Sequence, residues 1–279
     1  REYLFGRAVG SEMLAEFAAS DRAASDNPHL PGEWNLWYRV QELLVGPTLP
    51  AAPPHPASRR DIFYPGIGLF IARDRQFSLA VKGGNNGEGH NHNDVGSVSL
   101  YKNGRPFLID VGVETYTAKT FSARRYEIWT MQSAFHNLPT FAGVMQSAGE
   151  AFGARDVEVG FDEGSARISL DISDAYPPEV QLHSYRRVVS LLRGRHVEIV
   201  DTYDGGKPAV LSLMTCLAPT VGPDRIDLAD LGSIFVEGAG EIEIDEIGVD
   251  DARLRSAWPE KIYRLRLPFA DRLLKLRIV

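Results

Sequence analysis

The chain has 279 residues, 44% hydrophobic and 24% charged, with a net charge of −7 and a single cysteine. This balance excludes a disordered or fibrous chain, and one cysteine excludes an intramolecular disulfide and a multi-cysteine metal site. The acidity is regional: residues 137–279 hold 16 Lys and Arg against 23 Asp and Glu, and residues 82–136 hold 6 against 5. The concentrated basic face of a nucleic-acid binder is missing, and a polyanionic ligand would have to meet the 82–136 stretch. No uncharged apolar stretch reaches the ~20 residues of a membrane helix, so no membrane partner is expected.

Residues 1–48 read as helical. Glu12–Ala19 is rich in helix formers, and Trp34, Trp37, Tyr38, Gln41, Leu44 and Val45 recur at the spacing of an amphipathic helix. Ser20–Pro31 between them reads as a polar linker. Pro47, Pro50, Pro53, Pro54 and Pro56 then end the helical part, and residues 49–60 are expected to form a stiff Pro-rich linker at a domain boundary.

From Asp61 the pattern turns to short apolar runs and turns. Gly68–Ala72 and Phe77–Val81 form an expected hairpin. Ser97–Tyr101 and Pro106–Val111 flank Lys102-Asn103-Gly104-Arg105, where Asn-Gly is a strong hairpin signal. Arg167–Ile172, Leu182–Leu192, His196–Tyr203, Ala209–Thr215, Ser233–Val236, Glu241–Ile247, Arg264–Leu267 and Leu274–Val279 continue the rhythm, with a tight turn at Arg193-Gly194-Arg195. Some dozen strands without interleaved helices give a mainly β fold of stacked antiparallel sheets over 61–279. Cys216, in the apolar run Leu211–Ala218, reads as a small buried hydrophobe.

The chemistry concentrates in Lys82–Asp94, which holds four Gly, two His and several Asn between apolar strands. His90 and His92 stand at i and i+2, and in an extended backbone two such imidazoles point to one side, toward one centre. Asp110 ends the apolar strand Phe107-Leu108-Ile109, where an unpaired carboxylate would be costly. His136 follows Ala134-Phe135. Two imidazoles and a carboxylate form a donor set that suits zinc, and the same residues could each be satisfied separately. Arg124, Arg125, Tyr126, Tyr116 and Lys119 lie between Asp110 and His136. Guanidinium forks match carboxylate or sulfate oxygens.

The run Gly89–Tyr101 (GHNHNDVGSVSLY), followed by Gly104-Arg105-Pro106, Leu108-Ile109-Asp110, Thr115-Tyr116-Thr117 and Ala134-Phe135-His136-Asn137, resembles the heparinase II/III-like family of polysaccharide lyases. The match is dense from about Asp61 to Met145. The resemblance implies an enzyme with an N-terminal α/α toroid and a β-sandwich, or supersandwich, part. Residues 1–48 would be the last helices of the toroid, and 61–279 the β-sandwich domain. It implies that His90 lies in the cleft as a catalytic residue. It also implies that His92, Asp110 and His136 bind a structural Zn2+; Tyr116, Arg124 and Arg125, by their place in the loop between Asp110 and His136, are the substrate-binding candidates. The toroid's catalytic Tyr and uronate-binding Asn have no counterpart in this chain.

The function implied is β-elimination of a uronic-acid-containing polysaccharide by the intact parent. The fragment alone would be weakly active or inactive. The partner would be an acidic polysaccharide, with no nucleic acid and no membrane, and a homo-oligomer left open. The alternative is a non-catalytic carbohydrate-binding or structural β-module that retains the zinc site. A third reading, a metal-dependent hydrolase, requires a zinc-bound water facing the cleft. The opening Arg1-Glu2-Tyr3-Leu4-Phe5-Gly6 reads as mid-protein sequence, and the lyase reading puts the parent in the periplasm or outside the cell, with the cytoplasm left open. The polymer itself has no readable code.

Overall fold

The computed structural model describes residues 2–24, 35–48, 61–269 and 271–279. The chain divides into two compact units, Arg1–Arg59 and Arg60–Val279.

In the first unit, three helices stand where two were expected. Gly10, at φ 70°, stops the helix Glu2–Ala8, and the Ser11 hydroxyl accepts from the Leu14 amide (3.3 Å) at the head of Glu12–Ala24. The two helices touch at Gly6, where a Cβ would lie 2.7 Å from the Ala15 nitrogen. The second helix runs on past Ser20 because Arg22, Ala23 and Ala24 still favour it. Asn35 caps the third, Leu36–Val45, by accepting from the Trp37 amide (3.0 Å), and a 3-10 turn at Gly46–Thr48 closes it. The expected Pro-rich linker 49–60, and Trp34, lie outside the described residues.

The second unit is built of antiparallel sheets. A five-stranded sheet runs Ile62–Tyr64, Leu69–Arg73, Phe77–Lys82, Val98–Lys102, Arg105–Leu108. Its last hairpin turns on Asn103 and Gly104, both with positive φ (51° and 76°), as a two-residue Asn-Gly loop requires. An eight-stranded sheet runs Pro219–Val221, Arg225–Leu228, Gly232–Glu237, Leu273–Ile278, His196–Gly205, Leu182–Leu192, Ser165–Asp171, Arg155–Phe161. A four-stranded sheet runs Glu243–Gly248, Lys261–Phe269, Ala209–Thr215, Pro139–Phe141, and Asn85–Asn86 pairs with Gly149–Gly153.

Alternate residues of the three larger sheets enter one core. Phe70, Leu79 and Val81 come from the first, Ile168, Val189 and Ile199 from the second, and Leu211 and Leu265 from the third. The fold is mainly β with stacked antiparallel sheets, as the strand rhythm implies. A smaller cluster of Ile109, Val111, Met214, Val249, Leu254 and Ile262 takes in the residues on both sides of Asp110. Cys216 packs against this cluster half-buried rather than fully buried, and Leu254 comes from a short helix, Ala252–Arg255, that interrupts the all-strand pattern.

Candidate metal centre and its loop

The strand Phe77–Lys82 ends by opening into an irregular loop that returns at Val98. Its base is closed by the Lys82 amide donating to Ser97 O (3.0 Å) and the Gly96 amide donating to Lys82 O (2.7 Å). Gly68 and Gly84, both with positive φ, let this base lie backbone to backbone against the neighbouring turn, where a Cβ on either would collide.

Side chains satisfy the rest of the loop. Gln146 is its main partner: Nε2 donates to Val95 O (2.7 Å), and Oε1 accepts from the Val95 amide and Asn86 Nδ2 (both 3.1 Å). Asn93 Nδ2 donates to Gln146 O (3.2 Å), and the Asn93 amide donates to Met131 O (3.0 Å).

His92, Asp110 and His136 converge from three separate segments. One ligand atom from each lies within 4.8 Å of the others. The His92 and His136 ring centroids are 5.4 Å apart, and His136 Nδ1 is 3.7 Å from Asp110 Oδ2. Asp110 Oδ1 accepts from the Gly112 amide (2.9 Å), which fixes the carboxylate's orientation. Among the described residues this is the one group of three or more such side chains whose ligand atoms converge.

His136 is fully buried, yet neither of its ring nitrogens has a hydrogen-bond partner. A buried polar atom without a partner costs about 1–3 kcal/mol, so the ring is placed for something else. Burial first, then the neighbouring His136, pushes His92 below its ordinary range toward the neutral form a metal requires. Burial opposes ionisation of Asp110, but His136, the Gly112 amide, His92 and Lys82 together hold its carboxyl below the usual range. Two imidazoles and one carboxylate, half-buried to buried, are a donor set that fits a zinc ion.

His90 does not join this group. The i, i+2 argument assumes extended backbone, but His90 lies at φ 59° in the left-handed region, which breaks the alternation. Its side chain is exposed while that of His92 turns inward. Tyr116 is 41% exposed, edge-on to Phe121 (5.4 Å) and under the Arg253 guanidinium (4.8 Å). Arg124 is exposed and its Nε donates to both Glu127 oxygens (3.1 and 2.9 Å). Arg125 is half-buried. Its Nε and Nη2 both donate to Asn91 O (3.1 and 3.0 Å) and its Nη1 donates to Thr120 O (3.0 Å), which leaves one N–H on each terminal nitrogen.

Several residues that set this geometry escape a reading of the sequence. Asn137 Nδ2 donates to Val98 O (2.7 Å) and Ile109 O (3.0 Å), while its Oδ1 accepts from the Met214 amide (2.7 Å). It therefore fixes the residue before Asp110 and the residue after His136 with one side chain. Arg187, 1% exposed, donates through Nη1 to Gly96 O (2.8 Å) and Asn137 O (2.7 Å), and forks onto Asp201 (2.7 and 2.8 Å). Tyr185 donates to the same carboxylate (2.8 Å). The hairpin turn at Arg193–Arg195 puts Arg187 opposite Asp201, so the pair was in principle readable from the register.

The comparisons with known proteins agree on one family. The family model described as "Heparinase II/III-like, C-terminal" matches residues 56–254. The heparan sulfate lyase HepC from Pedobacter heparinus superposes with a TM-score of 0.62 at 15% identity, covering 94% of this chain and 42% of that one. A structure of heparinase III gives 0.59 at 16% identity, covering 82% and 38%. The heparinase III BT4657 gene product, with methylated lysines, gives 0.60 at 16%, covering 86% and 40%. The chain thus spans about two-fifths of the length of these lyases, and at this identity the likeness speaks to fold. No curated protein matches. With the family model matching most of its length, the chain belongs to the heparinase II/III-like family.

Proposed function

We propose that this chain is the β part of a polysaccharide lyase that cleaves an acidic, uronate-containing polysaccharide by β-elimination, with a structural zinc at His92, Asp110 and His136. One observation carries the reading. A fully buried histidine with two unpartnered nitrogens faces a carboxylate and a second histidine, two residues from an exposed histidine, in a chain of this family.

In such an elimination the C5–H bond of the uronate breaks and its electrons form the C4–C5 double bond. The C4–O bond breaks and the leaving oxygen takes a proton. His90 is the proposed acid or base, because an exposed imidazole nitrogen can reach a substrate and either take or give a proton. Tyr116, Arg124 and Arg125 are the proposed substrate contacts. Cations that hydrogen-bond the uronate carboxylate favour the enolate-like charge that builds up there. Bound zinc would supply a rigid cross-link between the loop and the segments of Asp110 and His136.

The helices of residues 1–48 are proposed to be the last of a larger helical domain, the α/α toroid. Their exposed Phe5, Met13, Phe17, Trp37, Leu43 and Leu44 suit packing against further helices. That domain is proposed to complete the acid–base set, with the parent acting in the periplasm or outside the cell.

The test is elimination of uronans by the whole parent protein, followed by the ultraviolet absorbance of the unsaturated product. His90→Ala is expected to cost about 10²–10⁴-fold in rate with an unchanged melting temperature. A parent that binds uronans without making unsaturated product, and binds equally well as His90→Ala, would be a carbohydrate-binding module instead.

A further inference from the structure

The His90 imidazole has no hydrogen-bond partner among the described residues, so the direction in which it leaves the chain is set by the backbone that carries it. That backbone is in the left-handed region, which costs a non-glycine residue of the order of 1–2 kcal/mol unless its surroundings enforce it. A cation on the neighbouring strand grips the residues around it. The Lys82 ammonium donates to Asn91 Oδ1 (3.1 Å) and Asp94 Oδ1 (2.5 Å) and lies 3.7 Å from Glu88 Oε2. Three acceptors on both sides of His90 therefore converge on one group with three N–H bonds. Asn91 is gripped again from the other side by the Arg125 fork on its carbonyl oxygen, and its own Nδ2 donates to Asn86 O (3.0 Å).

We propose that Lys82, assisted by Arg125 through Asn91, is the positioning residue that aims His90. This rests on the lyase reading for its kinetic consequence, though not for its geometry. The two acids that flank the Lys82 ammonium neutralise it, so it is not offered as a substrate contact.

The experiment uses the zinc-loaded chain with isotope-labelled histidines, observed by NMR, and the lyase assay on the parent. Lys82→Met is expected to leave zinc content and the His92 and His136 ring signals in place, while the His90 backbone amide and Cα signals move to those of an unrestrained loop residue. In the assay it is expected to lower kcat by about 10–100-fold with KM changed by less than about twofold, and Lys82→Arg is expected to restore part of the rate. An unchanged His90 spectrum would overturn the proposal. So would a raised KM with kcat intact, which marks a substrate contact. If Lys82→Met does not fold, Arg125→Met carries the same spectroscopic test through the Asn91 carbonyl. If the wild-type parent makes no unsaturated product, the lyase reading fails and the NMR result alone decides the positioning.

Discussion

Two buried polar centres lie close together in this molecule, and they are finished differently. At Arg187–Asp201 the bonds close: the guanidinium reaches Asp201, Gly96 O and Asn137 O, and the Tyr185 hydroxyl takes the remaining carboxylate position. At His136 nothing closes, and both nitrogens of the fully buried ring are left without hydrogen-bond partners. A satisfied centre is a structural device. An unsatisfied one, made of two histidines and a carboxylate, has the composition of a metal site and could hold a metal ion. Asn137 joins the two, since it accepts Arg187 on its carbonyl oxygen and adjoins His136.

The largest effect should come from breaking the closed centre. Arg187→Met leaves Asp201 buried without its cation and should cost about 3–5 kcal/mol in chemical denaturation. Adding Asp201→Leu should recover only part, because the Gly96 and Asn137 carbonyls and the Tyr185 hydroxyl stay unpaired. Full recovery would mean the pair is isolated from its surroundings.

At the open centre the sign depends on metal. His136→Ala should change the stability of the metal-free chain little. It should remove the stabilisation zinc gives, about 3–4 kcal/mol at free zinc 100–1,000 times its Kd, read as the loss of a zinc-dependent shift in melting temperature. An equally large loss without metal would make His136 a packing residue. Asn137→Ala tests the bridge. It should cost about 1–3 kcal/mol and weaken metal binding about 10–100-fold, the two losses appearing together in denaturation and zinc titration.

The smallest effect sharpens the contrast away from both centres. Asp171 Oδ1 accepts from the Ser173 amide and hydroxyl (2.9 and 2.7 Å) and from the Tyr185 amide (3.2 Å). Burial opposes its ionisation, but these bonds and Arg155 hold its carboxyl below the usual range. Its folded pKa is therefore below the unfolded value near 3.9, so its contribution is present above that pH and is lost as acid protonates it below. Asp171→Asn should make the acid limb of the stability curve shallower below about pH 4 and leave the limb above pH 6 unaltered.

The sequence makes some of this legible and hides the rest for physical reasons. The Asn103-Gly104 and Arg193-Gly194-Arg195 hairpins are readable because tight turns demand particular residues. The strand Arg155–Phe161 is not, because an exposed edge strand needs few apolar residues. Nor is Asn85–Asn86 with Gly149–Gly153, where glycine and asparagine conceal a short pairing. Residues 1–48 hid a helix stop at Gly10. At the site, the residue types were readable but the geometry was not. A period of two places His90 beside His92 only if the backbone is extended, and the loop network around Lys82 and Gln146 holds it otherwise. Arg187 hides because an arginine in a strand looks solvent-facing until the register sets Asp201 across from it.

The central claim is that the open centre holds a metal. The direct measurement is the metal content of the purified chain by plasma mass spectrometry, with His92→Ala beside it. The account predicts about one zinc per chain, lost in the variant together with the thermal stability it confers. A well-folded wild-type chain with no metal, and no gain in melting temperature on adding zinc, would contradict it.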